Sequence, residues 1–190
     1  MELLEKAITE KGKVLEGNVL KVGAILNNRL DVKLLSALAE EIAAHFRAAG
    51  VTDVLTVEAS GIAIAVLVAE KLGVDALFAK KSKTSNVEGE VYSADCYSYT
   101  HRKNNVLIVP AEYLKKGAKV LIVDDFLANG EALNALIKIV SEAGAETVGC
   151  AVAIEKGFQG GGDKLREKGY DVFSLAIIES MENGKIVFRR

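Results

Sequence analysis

The chain has 190 residues, half of them apolar and 26% charged, with a formal charge of −2 from 24 basic and 26 acidic side chains. That length suits one domain, the apolar share excludes a disordered chain, and the missing basic surplus excludes a sequence-independent nucleic-acid binder. Two cysteines, Cys96 and Cys150, sit in no motif and read as packing residues, so no disulfide framework is expected.

The start, Met1-Glu2-Leu3-Leu4-Glu5-Lys6, is charged and amphipathic and lacks the plan of a signal peptide. The longest apolar run, 61–69, has nine residues. A spanning helix needs about 20. A cytoplasmic protein without membrane partners is expected. Leu34, Leu35, Leu38, Ile42 and Phe46 then recur at helical spacing and predict a helix over 31–49, with Asp31 as N-cap and Gly50 as stop. A strand is predicted over 53–57, a turn at Glu58-Ala59-Ser60-Gly61, a helix over 62–72 closed by Gly73, and a strand over 74–79. The texture then turns polar. The stretch 82–105 is long for a connection and predicts a hairpin or flap inserted between core strands. Tyr92, Tyr97 and Tyr99 are expected mostly on one face of it, covered by a partner subunit. Core texture returns at 106–109, and 119–123 is apolar throughout, as in a parallel strand covered on both faces. A helix over 130–143, a strand over 147–154, a short helix over 163–168 and a strand over 171–178 complete the pattern. A polar turn at 182–184 closes a terminal hairpin. Strand and helix alternate, which argues for an α/β domain with a mainly parallel twisted sheet flanked by helices.

The chemistry concentrates in the stretch KVLIVDDFLANGEALNALIKIV, 119–140. An apolar strand leads into Asp124-Asp125, then into the small loop Ala128-Asn129-Gly130-Glu131-Ala132 at the start of a helix. Two carboxylates at the end of a buried strand are costly and point to a use. They can accept hydrogen bonds from vicinal hydroxyls such as those of a ribose. A small-residue loop at a helix N-terminus suits a phosphate monoester. A ribose phosphate satisfies both halves, at the sheet edge where α/β folds bind ligands. Glu58-Ala59-Ser60-Gly61 is either a second anion-binding turn or a plain strand-to-helix connection. Lys80-Lys81 is either a phosphate contact or a solvated pair. Lys156 is either a donor to a ring carbonyl or an exposed cation. Asn27 suits a base edge or an ordinary turn. His45 reads as a surface residue, and no His or Cys spacing suits a metal.

The stretch KVLIVDDFLANGEA resembles the 5-phosphoribosyl-1-pyrophosphate (PRPP) motif of type I phosphoribosyltransferases. Asn129 stands where that motif usually has Thr, and Glu131-Ala132 replace Gly-Thr, so backbone amides carry more of the phosphate. The Asp-Asp-Phe-Leu-Ala-Asn-Gly form is similar to the branch of the family in bacteria that uses xanthine. The resemblance continues through Val19-Leu20-Lys21-Val22, Asn27, Glu58-Ala59-Ser60-Gly61-Ile62, Phe78-Ala79-Lys80-Lys81, Tyr97-Ser98-Tyr99-Thr100 and 152–158.

The resemblance implies the type I phosphoribosyltransferase fold and transfer of the phosphoribosyl group from PRPP to xanthine. It makes Asp124 and Asp125 the catalytic pair. Ser60, Gly61, Lys81, Ala128, Asn129, Gly130, Glu131 and Ala132 become PRPP contacts, with Lys80 a lesser candidate. Leu20, Asn27 and Lys156 become base contacts, with Phe158 near the base. Mg²⁺ is expected to arrive mainly with PRPP rather than on a side-chain motif. A core over about 31–160, a hood from about 1–30 and 160–190, a flap over about 82–105 and a homodimer are also implied. Two alternatives remain open on the residues: a PRPP-binding purine regulator without catalysis, and a transferase for guanine, hypoxanthine or adenine. The regulators of this fold usually carry a DNA-binding domain ahead of it, and the segment before residue 53 lacks a basic recognition helix.

Overall fold

Asp31 caps its helix as its position predicts: the side chain accepts a hydrogen bond of 3.2 Å from the Leu34 amide. The computed structural model describes residues 1–15, 17, 19–82, 89–98, 103–182 and 184–190. In chain order the elements are α1 (Glu2–Lys11), β1 (Lys13–Leu15), β2 (Val19–Lys21), a π-helical turn (Gly23–Asn27), α2 (Val32–Phe46), β3 (Asp53–Val57), α3 (Ser60–Leu72) and β4 (Asp75–Ala79). They continue with β5 (Val91–Ser98), β6 (Lys103–Pro110), β7 (Lys119–Leu127), α4 (Glu131–Glu142), β8 (Glu146–Lys156), α5 (Gly161–Glu167), β9 (Val172–Glu182) and β10 (Lys185–Phe188). Gly50 and Gly73 stop their helices at φ of 69° and 71°, in the left-handed region where glycine is favoured.

Six strands form the main sheet in the order β10-β9-β8-β7-β3-β4. All neighbours are parallel except the β9–β10 hairpin. From β3 the chain moves outward to β4, returns to the other side of β3 as β7, and then moves outward through β8 and β9. The order therefore reverses between β3 and β7. Crossovers of one hand running in opposite directions put their helices on opposite faces. Accordingly α2 and α3 pack with Leu121, Val123 and Ala151 on one face, while α4 packs with Val120, Ile122 and Val152 on the other. The mainly parallel α/β expectation is met.

Several details differ from the sequence reading. The strand expected over 119–123, closed by Asp124 and Asp125, runs on to Leu127, so the two carboxylates lie inside β7 rather than at its end. Parallel pairing with β8 continues through Leu127 and Glu155 and holds the carboxylates in line. Helix α1 and the β1–β2 pair were not predicted, because their apolar periodicity is short. The insertion is a hairpin, β5 with β6, in register from Val91–Pro110 to Ser98–Lys103. Tyr92 and Tyr97 do not share a face. Tyr92 packs against the α4-side core with Ala94 and Cys96, whereas Tyr97 has the other parity and is exposed. Tyr99, and the positions 83–88 and 99–102 of the expected flap, lie outside the described residues. The segment 160–190, assigned to a hood from sequence, also supplies β9 and β10 to the main sheet. Cys96 and Cys150 are buried and unpaired, and burial pushes the Cys150 thiol up to about 12.

Candidate active site

Because β3, β4, β7 and β8 are parallel, the segments leaving them all emerge at one edge of the sheet. These segments carry Ser60 and Gly61, Lys80 and Lys81, the loop 128–132, and Lys156. The edge includes the reversal between β3 and β7, the place where open α/β sheets form a ligand crevice. Topology alone therefore gathers residues that lie far apart in the sequence.

Asp124 and Asp125 are 5% and 8% exposed, a rare state for carboxylates. The Asp125 amide donates to Oδ1 of Asp124 at 2.9 Å. Burial first, and then the neighbouring Asp125, hold the Asp124 carboxyl well above the ordinary carboxylate range. A cationic transition state or a ligand hydroxyl placed here meets an acceptor with little water to compete. Gly61 opens α3 against the same spot. A Cβ on it would collide with the Thr56 hydroxyl and lie 2.8 Å from Oδ1 of Asp124. Oγ of Thr56 is buried with no hydrogen-bond partner, at the meeting of β3, α3 and the acidic pair. The peptide between Glu58 and Ala59, just ahead of Ser60, is cis. The Glu58 carboxylate accepts the Lys81 amide at 2.7 Å, which ties the turn after β3 to the segment after β4. Lys80 pairs by its backbone with Ile108 of the hairpin, and Lys81 is exposed.

The loop from Ala128 to Gly130 is half-buried to buried and ends on Gly130 at φ of 90°, which suits glycine. The Asn134 amide donates to the Gly130 carbonyl at 2.7 Å and is itself held by Lys168 at 3.0 Å. Glu131 and Ala132 form the first turn of α4 and are half-buried. Lys156 ends β8 with its ammonium 5.8 Å from the centre of the Phe126 ring, and burial lowers its pKa. Phe158, in the turn after it, is 36% exposed. Asn27 ends the π-helical turn and is exposed, whereas Leu20 is buried among α1 and the turn.

The chain matches the phosphoribosyl transferase domain family over residues 21–189. The chain belongs to the phosphoribosyltransferase family. It is 51% identical, over an alignment of 192 positions covering all of both proteins, to a xanthine phosphoribosyltransferase of Bifidobacterium adolescentis. It is 48% identical, with 99% of this chain and all of the other covered, to a xanthine phosphoribosyltransferase of Lactobacillus delbrueckii subsp. bulgaricus. In fold, the phosphoribosyltransferase superposes on an adenine phosphoribosyltransferase of Thermoanaerobacter pseudethanolicus with a TM-score of 0.76 at 24% identity, covering 92% of this chain and 98% of that one. An APRTase of Giardia lamblia gives 0.79 at 24% identity, covering 93% and 98%. These last two identities speak to the fold.

Sequence reasoning missed residues behind the phosphoribosyltransferase loop. Thr56 reads as one more position of an apolar strand, and Glu58 as a turn residue. Glu155 reads only as a position after a strand and Arg166 as one of a short helix, yet Glu155 is fully buried and holds Arg166 in a two-point bond of 3.0 and 2.7 Å. The run Gly160-Gly161-Gly162 was the available signal: three glycines at a helix start mean a close backbone approach.

Proposed function

We propose that this chain transfers the 5-phosphoribosyl group of PRPP to xanthine, giving xanthosine 5′-monophosphate and pyrophosphate in purine salvage. The observation that carries this reading is the convergence of two small-residue anion loops, a buried acidic pair and a half-buried lysine at one sheet edge. The full-length likeness to proteins named xanthine phosphoribosyltransferases supports the choice of base.

On this reading the 5-phosphate sits on Ala128, Asn129, Gly130, Glu131 and Ala132 at the start of α4. The pyrophosphate sits on Ser60 and Gly61 at the start of α3, with Lys81 as a point charge. Each helix start offers unpaired N–H groups and partial positive charge. Asp124 and Asp125 accept hydrogen bonds from the two ribose hydroxyls between these loops. As the bond from the anomeric carbon to pyrophosphate breaks, positive charge develops on the ribose, and the adjacent carboxylates favour it. Lys156 donates to the purine and, with Asn27 and Leu20 from the hood, holds the ring nitrogen in line with that carbon. Positioning of this kind supplies much of the rate. The two buried carboxylates of β7 are a donor set that fits a Mg²⁺ ion brought by PRPP. Asp124 and Asp125 are the side chains that would reach Mg²⁺ on PRPP, and the ion would neutralise charge on the departing pyrophosphate.

The reading extends to a cytoplasmic homodimer, with the segment 82–105 acting as a flap and with 1–30 and 160–190 as the hood. Among the described residues no helix is long and apolar enough to cross a membrane. The test is a PRPP-dependent assay with xanthine, guanine, hypoxanthine and adenine supplied separately. Formation of the nucleotide and pyrophosphate with xanthine is expected. PRPP binding without turnover of any base would overturn the enzyme reading in favour of a sensor.

A further inference from the structure

We propose that the start of α5 and the buried Glu155–Arg166 pair form a brace that fixes the phosphate loop, which makes Glu155, Gly161 and Arg166 positioning residues for the 5-phosphate. The proposal rests on the reading that residues 128–132 hold that phosphate. It begins with a carboxylate in an unusual place. Glu155 is fully buried directly before Lys156. The Ser174 hydroxyl donates to it, and Arg166 grips both of its oxygens. Arg166 also donates to the Val172 carbonyl at 3.0 Å and to Asp163 at 3.2 Å. A buried ion pair is weak evidence for stability, because well-packed apolar groups often do as well. Its placement is the telling feature.

Two consecutive glycines wedge the start of α5 between this pair and the loop. A Cβ on Gly162 would collide with Oε1 of Glu155 and lie 2.8 Å from Nη1 of Arg166. A Cβ on Gly161 would collide with the Ala128 carbonyl oxygen and lie 2.7 Å from the Gly130 nitrogen. The Gly161 amide donates to that same Ala128 carbonyl at 3.1 Å. This bond ties the first residue of the loop to the start of α5. The loop has no hydroxyl of its own, so its backbone must be held to shape from behind. The same Glu155 precedes Lys156, so one buried group sets the spacing between phosphate loop and base donor.

The test uses the full chain, with ribose 5-phosphate and inorganic pyrophosphate as separate inhibitors competing with PRPP. Gly161→Ala displaces the loop and is expected to weaken inhibition by ribose 5-phosphate roughly 10- to 100-fold, the scale set by a misplacement of about 1 Å. Inhibition by pyrophosphate, whose loop lies across the site, is expected to stay unchanged. Glu155→Gln is expected to give the same split to a smaller degree, and it decides alone if Gly161→Ala does not fold. Unchanged ribose 5-phosphate inhibition, or a parallel loss of both inhibitors, overturns the brace. Asn129→Asp places a negative charge in the loop itself and must weaken ribose 5-phosphate. If it does not, the loop is not the phosphate site and the underlying reading fails. An effect of Asn129→Asp without one of Gly161→Ala or Glu155→Gln rejects the brace alone.

Discussion

Gly61 stands over Asp124: the place a Cβ would take on Gly61 lies 2.8 Å from Oδ1 of Asp124. Helix α3 therefore begins in backbone contact range of the acidic pair, and the turn after β3 shares a wall with the carboxylates of β7. The reversal of strand order makes this possible, because it sets β3 and β7 side by side with both carboxyl ends free of a crossover between them.

Gly61→Ala should break this contact at the site rather than in the core. The new methyl must push either the Thr56 hydroxyl or the Asp124 carboxylate. A shift of about 1 Å in reacting groups can cost on the order of 10²-fold in rate. kcat/KM for PRPP is expected to fall by roughly that factor while the circular dichroism spectrum is kept. Wild-type kinetics in the folded variant would separate Gly61 from the chemistry.

The acidic pair is expected to trade stability for activity. Burial, and then Asp125, raise the Asp124 carboxyl above its ordinary value, so the folded chain holds the proton more tightly than the unfolded one. Stability therefore falls as pH rises from the ordinary carboxylate range through the raised value. Asp124→Asn removes that penalty and keeps an acceptor for the Asp125 amide. Its melting temperature should exceed that of the wild type at pH 8, with the gain shrinking as pH falls through the raised value. Asp124→Asn together with Asp125→Asn should cost on the order of 10²-fold or more in turnover. A lower melting temperature for the single variant at pH 8, or wild-type turnover in the folded double variant, would contradict this account.

The sheet, and the sheet edge that gathers the candidate site, were legible because their signals are local. An apolar run ending in Asp124-Asp125, a small loop and a helical period together specify one strand–loop–helix unit. Asp31, Gly50 and Gly73 mark helix ends by their own backbone chemistry. What the sequence hid depends on long-range packing. Glu155 and Arg166 are eleven positions apart, and Glu155 is fully buried because β8 lies between β7 and β9 with the start of α5 against its carboxylate. The end of β7 was misplaced because polar residues normally signal a turn, whereas here β8 continues to pair through Leu127. Tyr92 and Tyr97 are five positions apart, an odd step along a strand, so these two take opposite faces.

Association should involve the outermost strand β4. Phe78 on that strand is 43% exposed, and Val66 of α3 and Val106 of β6 are 50% and 41% exposed. An edge strand with apolar side chains invites pairing unless something covers it. Sedimentation should give about twice the mass of one chain, and Phe78→Lys should shift it toward the single chain. A wild-type mass near 20.3 kDa at working concentration would overturn the homodimer.

Base choice should follow from donors. Xanthine carries a carbonyl at C2 where guanine carries an amine. Lys156 has N–H donors and no acceptor, and Asn27 can present its amide NH₂. Burial lowers the Lys156 pKa from its ordinary 10.5, a sign that its ammonium is partly withdrawn from water, where a hydrogen bond to the base counts for more. Donors that face guanine's amine are left unpaired, and an unmade buried hydrogen bond costs about 1–3 kcal/mol. Xanthine should therefore exceed guanine by roughly tenfold or more in kcat/KM. Lys156→Met keeps most of the unbranched side chain and removes its donors. It should abolish most xanthine use while leaving PRPP affinity unchanged, because Lys156 ends β8 whereas the PRPP loops follow β3, β4 and β7. Competing-base kinetics on the wild type and PRPP titration of the variant are the two measurements. Equal use of guanine and xanthine would overturn the base assignment. Lost PRPP affinity in Lys156→Met would instead move this lysine out of the base pocket and onto the phosphates.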